Sequence, residues 1–200
     1  MPNPDIRWST PSDGHTFPIY GGAPSDMERL GDYAVERDTA TIRFAGDVWQ
    51  LEAGKGPRMT ATTSPETGSQ VFTAVGDAAT FGRSKNVVCT IDRYRVLLHQ
   101  ESRKEFVLLD ATDAGGEGQA PIDLESAPKI GQFTSEQGGL KNLHVEFEGA
   151  GQKLPLDAQV FLSWVARHAM ETRAVSSAWG LTISMIILIP VVLFYILGYL

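Results

Sequence analysis

Residues 94–109 read Tyr94-Arg95-Val96-Leu97-Leu98-His99-Gln100-Glu101-Ser102-Arg103-Lys104-Glu105-Phe106-Val107-Leu108-Leu109. Two apolar runs carrying Tyr, Val, Leu and Phe flank a short polar stretch from Gln100 to Lys104. Strand-forming residues on either side of a polar connection read as a β-hairpin. The same signal recurs outward in both directions. Towards the N-terminus, Val87 to Ile91 is a further apolar run. Arg58 to Thr63 and Gln70 to Val75 are two more, parted by the turn-like Ser64-Pro65-Glu66-Thr67-Gly68. Ile42-Arg43-Phe44 and Val48-Trp49-Gln50-Leu51 alternate apolar with polar, as a half-buried strand requires. Towards the C-terminus, a Gly-rich loop from Asp113 to Gln119 precedes Lys129 to Thr134 and Asn142 to Glu148. The spacing predicts a mainly β fold: an antiparallel barrel or sandwich of about eight to ten short strands.

Helix enters only at Leu156. Val160, Phe161, Trp164, Val165 and His168 form an apolar stripe at helical period, and Pro155 and Asp157 suit a helix start. A helix over about 156–173 is expected, with its stripe against the β core. Residues 1–38 hold five prolines by Pro24 and the pair Gly21-Gly22. They read as an extended Pro/Gly-rich arm, leaving 39–173 as the β-rich domain.

The chain has 17 Lys and Arg against 24 Asp and Glu, a net charge of −7. All of these charges lie at or before Arg173. Ala178 to Leu200 reads AWGLTISMIILIPVVLFYILGYL, and at the helical rise its length is about 34 Å, enough to cross a hydrocarbon core. Trp179 near one end and Tyr195 and Tyr199 near the other suit headgroup level, and Pro190 predicts a kink. Residues 178–200 are therefore expected to be a single transmembrane anchor at the tail of the chain. Lys153, Arg167 and Arg173 precede this segment and no cation follows it, which predicts a cytoplasmic N-terminal domain. Whether the membrane is an inner membrane or an organelle's outer face does not follow. Residues 1–17 contain no apolar signal-peptide core. An acidic chain without a basic run does not fit nucleic acid.

The late strands and the helix resemble the tubby-like fold, in the branch of phospholipid scramblases and LURP-one-related proteins. The residues are Lys129-Ile130-Gly131-Gln132-Phe133, then Val145-Glu146-Phe147, then Leu154-Pro155-Leu156-Asp157-Ala158-Gln159-Val160-Phe161-Leu162-Ser163-Trp164-Val165. The resemblance covers about 35–172 and implies a closed barrel around a terminal helix, in a membrane context. It does not imply lipid flipping: the scramblase Cys cluster and an acidic calcium-binding stretch are both lacking. A PH-like sandwich ending in a helix, with its Trp at Trp164, is the rival.

No constellation carries catalytic chemistry. His15, His99, His144 and His168 are scattered without ligand spacing, and read as exposed strand or helix residues. Cys89, inside an apolar strand, reads as a small buried hydrophobe. Ser126 and Lys129 match S-x-x-K without its companion motifs. Asp110, Asp113, Glu117, Asp123 and Glu125 lack calcium-loop spacing and read as a solvated loop. Arg83, Lys85, Arg93, Arg95, Arg103 and Lys104 are the one basic concentration, a candidate face for anionic lipid or an acidic partner. The expectation is a non-enzymatic, tail-anchored protein with no cofactor, metal or small-molecule substrate. Its β-rich domain would bind lipid or protein at the cytoplasmic face of a bilayer. The alternative is an accessory subunit packed against other integral-membrane subunits through the last helix, where Gly180, Ser184 and Ser176-Ser177 permit close approach.

Overall fold

The computed structural model describes residues 5–10, 13–23, 25–36, 39–102, 105–112, 124, 126–134, 143–173 and 195. Its first strands are β1 (Asp5–Trp8), β2 (Thr16–Ala23), β3 (Asp26–Glu36), β4 (Thr39–Phe44), β5 (Asp47–Ala53) and β6 (Arg58–Thr62). Then come β7 (Val71–Gly76), β8 (Asn86–Ile91), β9 (Tyr94–Gln100), β10 (Glu105–Asp110), β11 (Lys129–Thr134) and β12 (His144–Phe147). Each pairs antiparallel with its neighbour in sequence. β1 closes the ring on β12, with Ile6 opposite Val145 and Arg7 opposite His144. The architecture is a closed barrel, not a sandwich.

The strand period of two puts alternate side chains inside. Trp49 and Leu51 of β5, Met59 and Ala61 of β6, and Phe72 and Ala74 of β7 are buried in this way. The hairpin β9–β10 departs from alternation because both of its faces are covered. Val96, Leu98, Phe106 and Leu108 join the main core, while Leu97, Val107 and Leu109 form a second cluster with Ala111.

The helix α1 (156–173) fills the barrel. Residues 158–167 are buried without a break, whereas a surface helix would expose one face in each turn. Its contacts lie all round the ring. Trp8 Nε1 of β1 donates to Ser163 Oγ at 3.0 Å. The Phe161 ring meets Phe72 of β7 at 5.5 Å, and the Arg173 guanidinium lies 4.4 Å from the Phe106 ring centre on β10. Trp164 is 2% exposed.

The strand order gives the barrel two poles. The entry pole holds the β4–β5, β6–β7, β8–β9 and β10–β11 connections and the start of α1. The exit pole holds the β5–β6 and β7–β8 connections, and there Thr172 of α1 sits against Gly82.

Two expectations change, the N-terminal arm and the number of strands. Residues 5–36 are barrel strands, not part of an extended arm, so the folded unit runs from β1 through α1 with twelve strands. Its glycines mark close approach rather than slack. A Cβ at Gly21 would meet the Leu30 side chain, and one at Gly31 would run into the Arg43 carbonyl oxygen. Among the described residues, no helix is long and apolar enough to cross a membrane. Trp179, Pro190 and Tyr199 lie outside the described residues, and Tyr195 is helical and exposed.

Candidate functional site

At the exit pole a cleft of about 540 Å³ opens beside the end of α1. Lys55 and Gly56 of the β5–β6 connection line it, with Phe81 and Arg83 of the β7–β8 connection and His168, Glu171 and Thr172 of α1. The two connections are tied to each other. Phe81 N–H donates to the Gly56 carbonyl at 3.3 Å, and Gly76 N–H to the Pro57 carbonyl at 2.8 Å. The buried Ser84 hydroxyl donates to the Thr80 carbonyl at 3.1 Å and accepts from Ala78 N–H at 3.2 Å. Asp77 accepts from the backbone N–H groups of Lys85 and Asn86 at 3.0 and 3.2 Å. This lattice holds Arg83 and Lys85 at the rim, where both are exposed.

The helix contributes a polar ladder that the apolar stripe conceals. Gln159, Ser163, Arg167 and Glu171 follow one another at four-residue spacing, on one face of α1. Gln159 Nε2 donates to the Gly151 and Leu154 carbonyls at 3.3 and 3.1 Å. Arg167 Nε meets Glu171 Oε1 at 2.8 Å, with its side chain only 4% exposed. Three rings enclose that guanidinium: Phe17 at 4.0 Å, Trp8 at 5.0 Å and Tyr33 at 5.7 Å from ring centre to Cζ. A desolvated cation held on aromatic faces is favourable, and here it pins α1 to β1, β2 and β3. His168 packs edge-on against Phe81 at 5.2 Å between centroids. Burial lowers its pKa, so the ring is neutral at pH 7. The Arg173 guanidinium donates to the Ser84 carbonyl, and burial lowers its pKa too.

Of the six basic residues singled out in the sequence, the four described ones divide between the two poles. Arg83 and Lys85 sit at the exit pole. Arg93, at the β8–β9 turn, is at the entry pole, with its Nη2 donating to the Tyr94 hydroxyl at 2.9 Å. Arg95 begins β9 near that same pole. A six-residue strand separates the two groups by about 20 Å. Arg103 and Lys104 lie outside the described residues. Of the histidines, only His15 is exposed. His99 Nδ1 is 2.6 Å from Asn86 Oδ1, and His144 Nε2 is 3.0 Å from Asp5 Oδ2. Cys89 is wholly buried in β8, and burial pushes its thiol pKa up. Among the described residues, no three metal-ligating side chains come together. Most of the acidic loop lies outside the described residues.

No protein-family model, curated protein or solved structure matches this chain.

Both poles carry more carboxylates than cations among the described residues. Asp26 and Glu28 at the β2–β3 tip, and Asp47, Glu66, Asp92, Asp110, Glu148 and Asp157 in or beside the turns, are at the entry pole. Arg29, Arg43, Arg93, Arg95, Lys129 and Lys153 oppose them among the described residues there. At the exit pole, Lys55, Arg58, Arg83, Lys85 and Arg173 stand against Asp13, Glu36, Glu52, Asp77, Glu101, Glu105 and Glu171. Residues 159, 163 and 167 were readable as polar. Their burial was not, because nothing local distinguishes a solvated polar stripe from one inside a barrel.

Proposed function

We propose that the chain is a non-enzymatic module held at a membrane by segment 178–200, with the exit pole of its barrel against the bilayer. The observation that carries this is where α1 leaves the barrel. It ends beside Lys55 and Arg83, and the 27 residues after Arg173 carry no charge. The orientation argument thereby changes its residues. Arg167 is paired inside the barrel and Arg173 is bonded to Ser84, so neither is a free flanking charge. The cations around the end of α1 are those of the rim, and they favour the cytoplasmic side, where anionic lipids attract each by about 1 kcal/mol. Asp26 and Glu28, exposed at the tip of the entry pole, then point away from the bilayer. The tubby-like reading draws its support from architecture: a closed barrel wrapped about a C-terminal helix. The non-enzymatic reading draws on a barrel interior occupied by α1 rather than by a substrate cavity.

The test compares the full chain with one ending at Arg173. The full chain should pellet with membranes and resist a high-salt wash, and the shortened chain should stay soluble and folded. A shortened chain that still pellets after the wash would overturn the anchor. The second reading, an accessory subunit of a larger membrane assembly, is favoured by the apolar side chains exposed at the entry pole, Val71 and Leu156 among them. It requires a stable larger particle in mild detergent.

A further inference from the structure

We infer that the entry pole carries a strand-addition site, the outer edge of β3 over Asp26 to Leu30, which takes an extended polypeptide segment bearing Lys or Arg. β3 is eleven residues long, the longest strand of the barrel. β2 accompanies it to its tip, with Tyr20, Gly21, Gly22 and Ala23 opposite Arg29, Glu28, Met27 and Asp26. On the other side, β4 reaches only Phe44, opposite Gly31, and then turns through Ala45 and Gly46 into β5. From Asp26 to Arg29, β3 therefore has a strand neighbour on one side only among the described residues, and Leu30 is the bulge that precedes Gly31. Closing a barrel hides strand edges only where neighbouring strands match in length, and this overhang restores one.

Alternation decides which backbone groups face out. Ser9 N–H, on the β1 side, donates to the Pro18 carbonyl, so the even-numbered residues of β2 face β1. Gly21 and Ala23 then face β3, and their partners Glu28 and Asp26 face back to β2. Met27 and Arg29 consequently turn N–H and C=O towards the open side. Asp26, Glu28 and Arg29 are exposed, and Met27 and Leu30 half-buried, so the edge is accessible.

A second observation falls on the same pole. The large apolar side chains exposed among the described residues of the barrel and α1 are Val48, Val71, Leu124 and Leu156. They sit at the start of β5, the start of β7, the β10–β11 connection and the start of α1, all at the entry pole. Isolated exposed aliphatics are ordinary on any surface, but four gathered on one pole are not scatter.

Charge selects the occupant. Arg29 is neutralised by Asp32, whereas the exposed Asp26 and Glu28 stand on the overhang itself. A second copy of this edge would set Asp26 and Glu28 against their equivalents, and like charges on paired strands repel. A cationic extended segment meets no such penalty. Its main chain would supply the ladder, and its alternate side chains would meet the carboxylates. The site lies at the pole opposite the end of α1 and does not depend on how segment 178–200 is used.

The probe is an octapeptide alternating Lys and Val, with a Glu and Val counterpart, added to the full-length chain in non-ionic detergent. Saturable binding of the cationic peptide is expected, with amide exchange at Met27 and Arg29 slowed at least tenfold. The acidic peptide should bind at least tenfold more weakly, and Glu28→Lys should narrow or reverse that preference. Met27→Pro removes an outward N–H without touching the β2 ladder and should abolish binding while leaving the melting temperature unchanged. If that variant fails to fold, the exchange pattern and the Glu28→Lys swap decide. Unchanged exchange at Met27 and Arg29 would overturn the site, as would full binding by a folded Met27→Pro. Concentration-dependent protection without peptide would assign the edge to self-association and overturn the cationic partner.

Discussion

Arg167 shows how much one residue can hold together in this chain. Its guanidinium is paired with Glu171 and enclosed by Trp8, Phe17 and Tyr33, rings that lie more than 130 residues earlier. Removing one partner of a buried ion pair leaves the other uncompensated and costs about 3–5 kcal/mol. Glu171 is 33% exposed on its side chain, so water recovers part of that and Arg167→Ala should fall near the lower figure. Lysine keeps the charge but loses the planar stacking, so Arg167→Lys should lose less. Urea unfolding of the two variants checks this, and a loss below about 1 kcal/mol for Arg167→Ala would show that the cage is ornamental. Trp164→Ala, at a site 2% exposed, should cost about 3–5 kcal/mol, as for any large aromatic removed from a core. His168 adds a pH dependence. Burial lowers its folded pKa, so the unfolded chain binds more protons below the unfolded value of about 6.5. Its contribution is intact above that pH and is lost as pH falls through it. His168→Leu should flatten the stability profile between about pH 7 and 5, and a profile identical to wild type would remove His168 as its source.

Among the elements, those with strong local signals were readable. The β9–β10 hairpin was visible because its two apolar runs flank a polar turn, and β11 and the start of α1 were placed to within a residue. The runs at 96–98 and 106–109 looked more like buried strands than alternating ones, which the second cluster on the outer face explains. β1 to β3 were hidden by their composition. Pro18, Gly21, Gly22 and the charged run Asp26 to Asp32 lower strand propensity, and only the ring of neighbours overrides it. The exit cleft was equally invisible, since it joins residues 54–56, 80–83 and 168–172 through pairing alone. The arm and the barrel readings make opposite predictions for removal of residues 1–38. An arm could be cut with little loss. Three strands cannot, because their removal opens the ring between β4 and β12 and uncovers Arg167 and the Trp8-facing side of α1. A chain starting at Thr39 should therefore lose the cooperative thermal transition and aggregate. A sharp transition near the full-length temperature would restore the arm.

At the scale of the whole molecule, closure and filling are one event. The ring is completed by β1 meeting β12, about 140 residues apart in sequence, around α1 on its axis. Contacts of such separation make folding slow, because loop-closure entropy is lost before the contacts return it. They also make the native state hard to open in parts. α1 cannot slide out past the exit pole without drawing the buried Arg167 and Glu171 pair through the cleft and exposing Phe161 and Trp164. Its unfolding should thus be tied to that of the strands around it. Native-state hydrogen exchange measures this directly. The amides of residues 158–170 should exchange with the same free energy as those of β6 to β10, near the global value, while the short β1–β12 seam opens at lower free energy. A helix that exchanged well before the strands would behave as a removable plug rather than as the core of the barrel. In that case α1 and the segment proposed as the anchor could move together, and the exit pole could not serve as the fixed platform proposed for it.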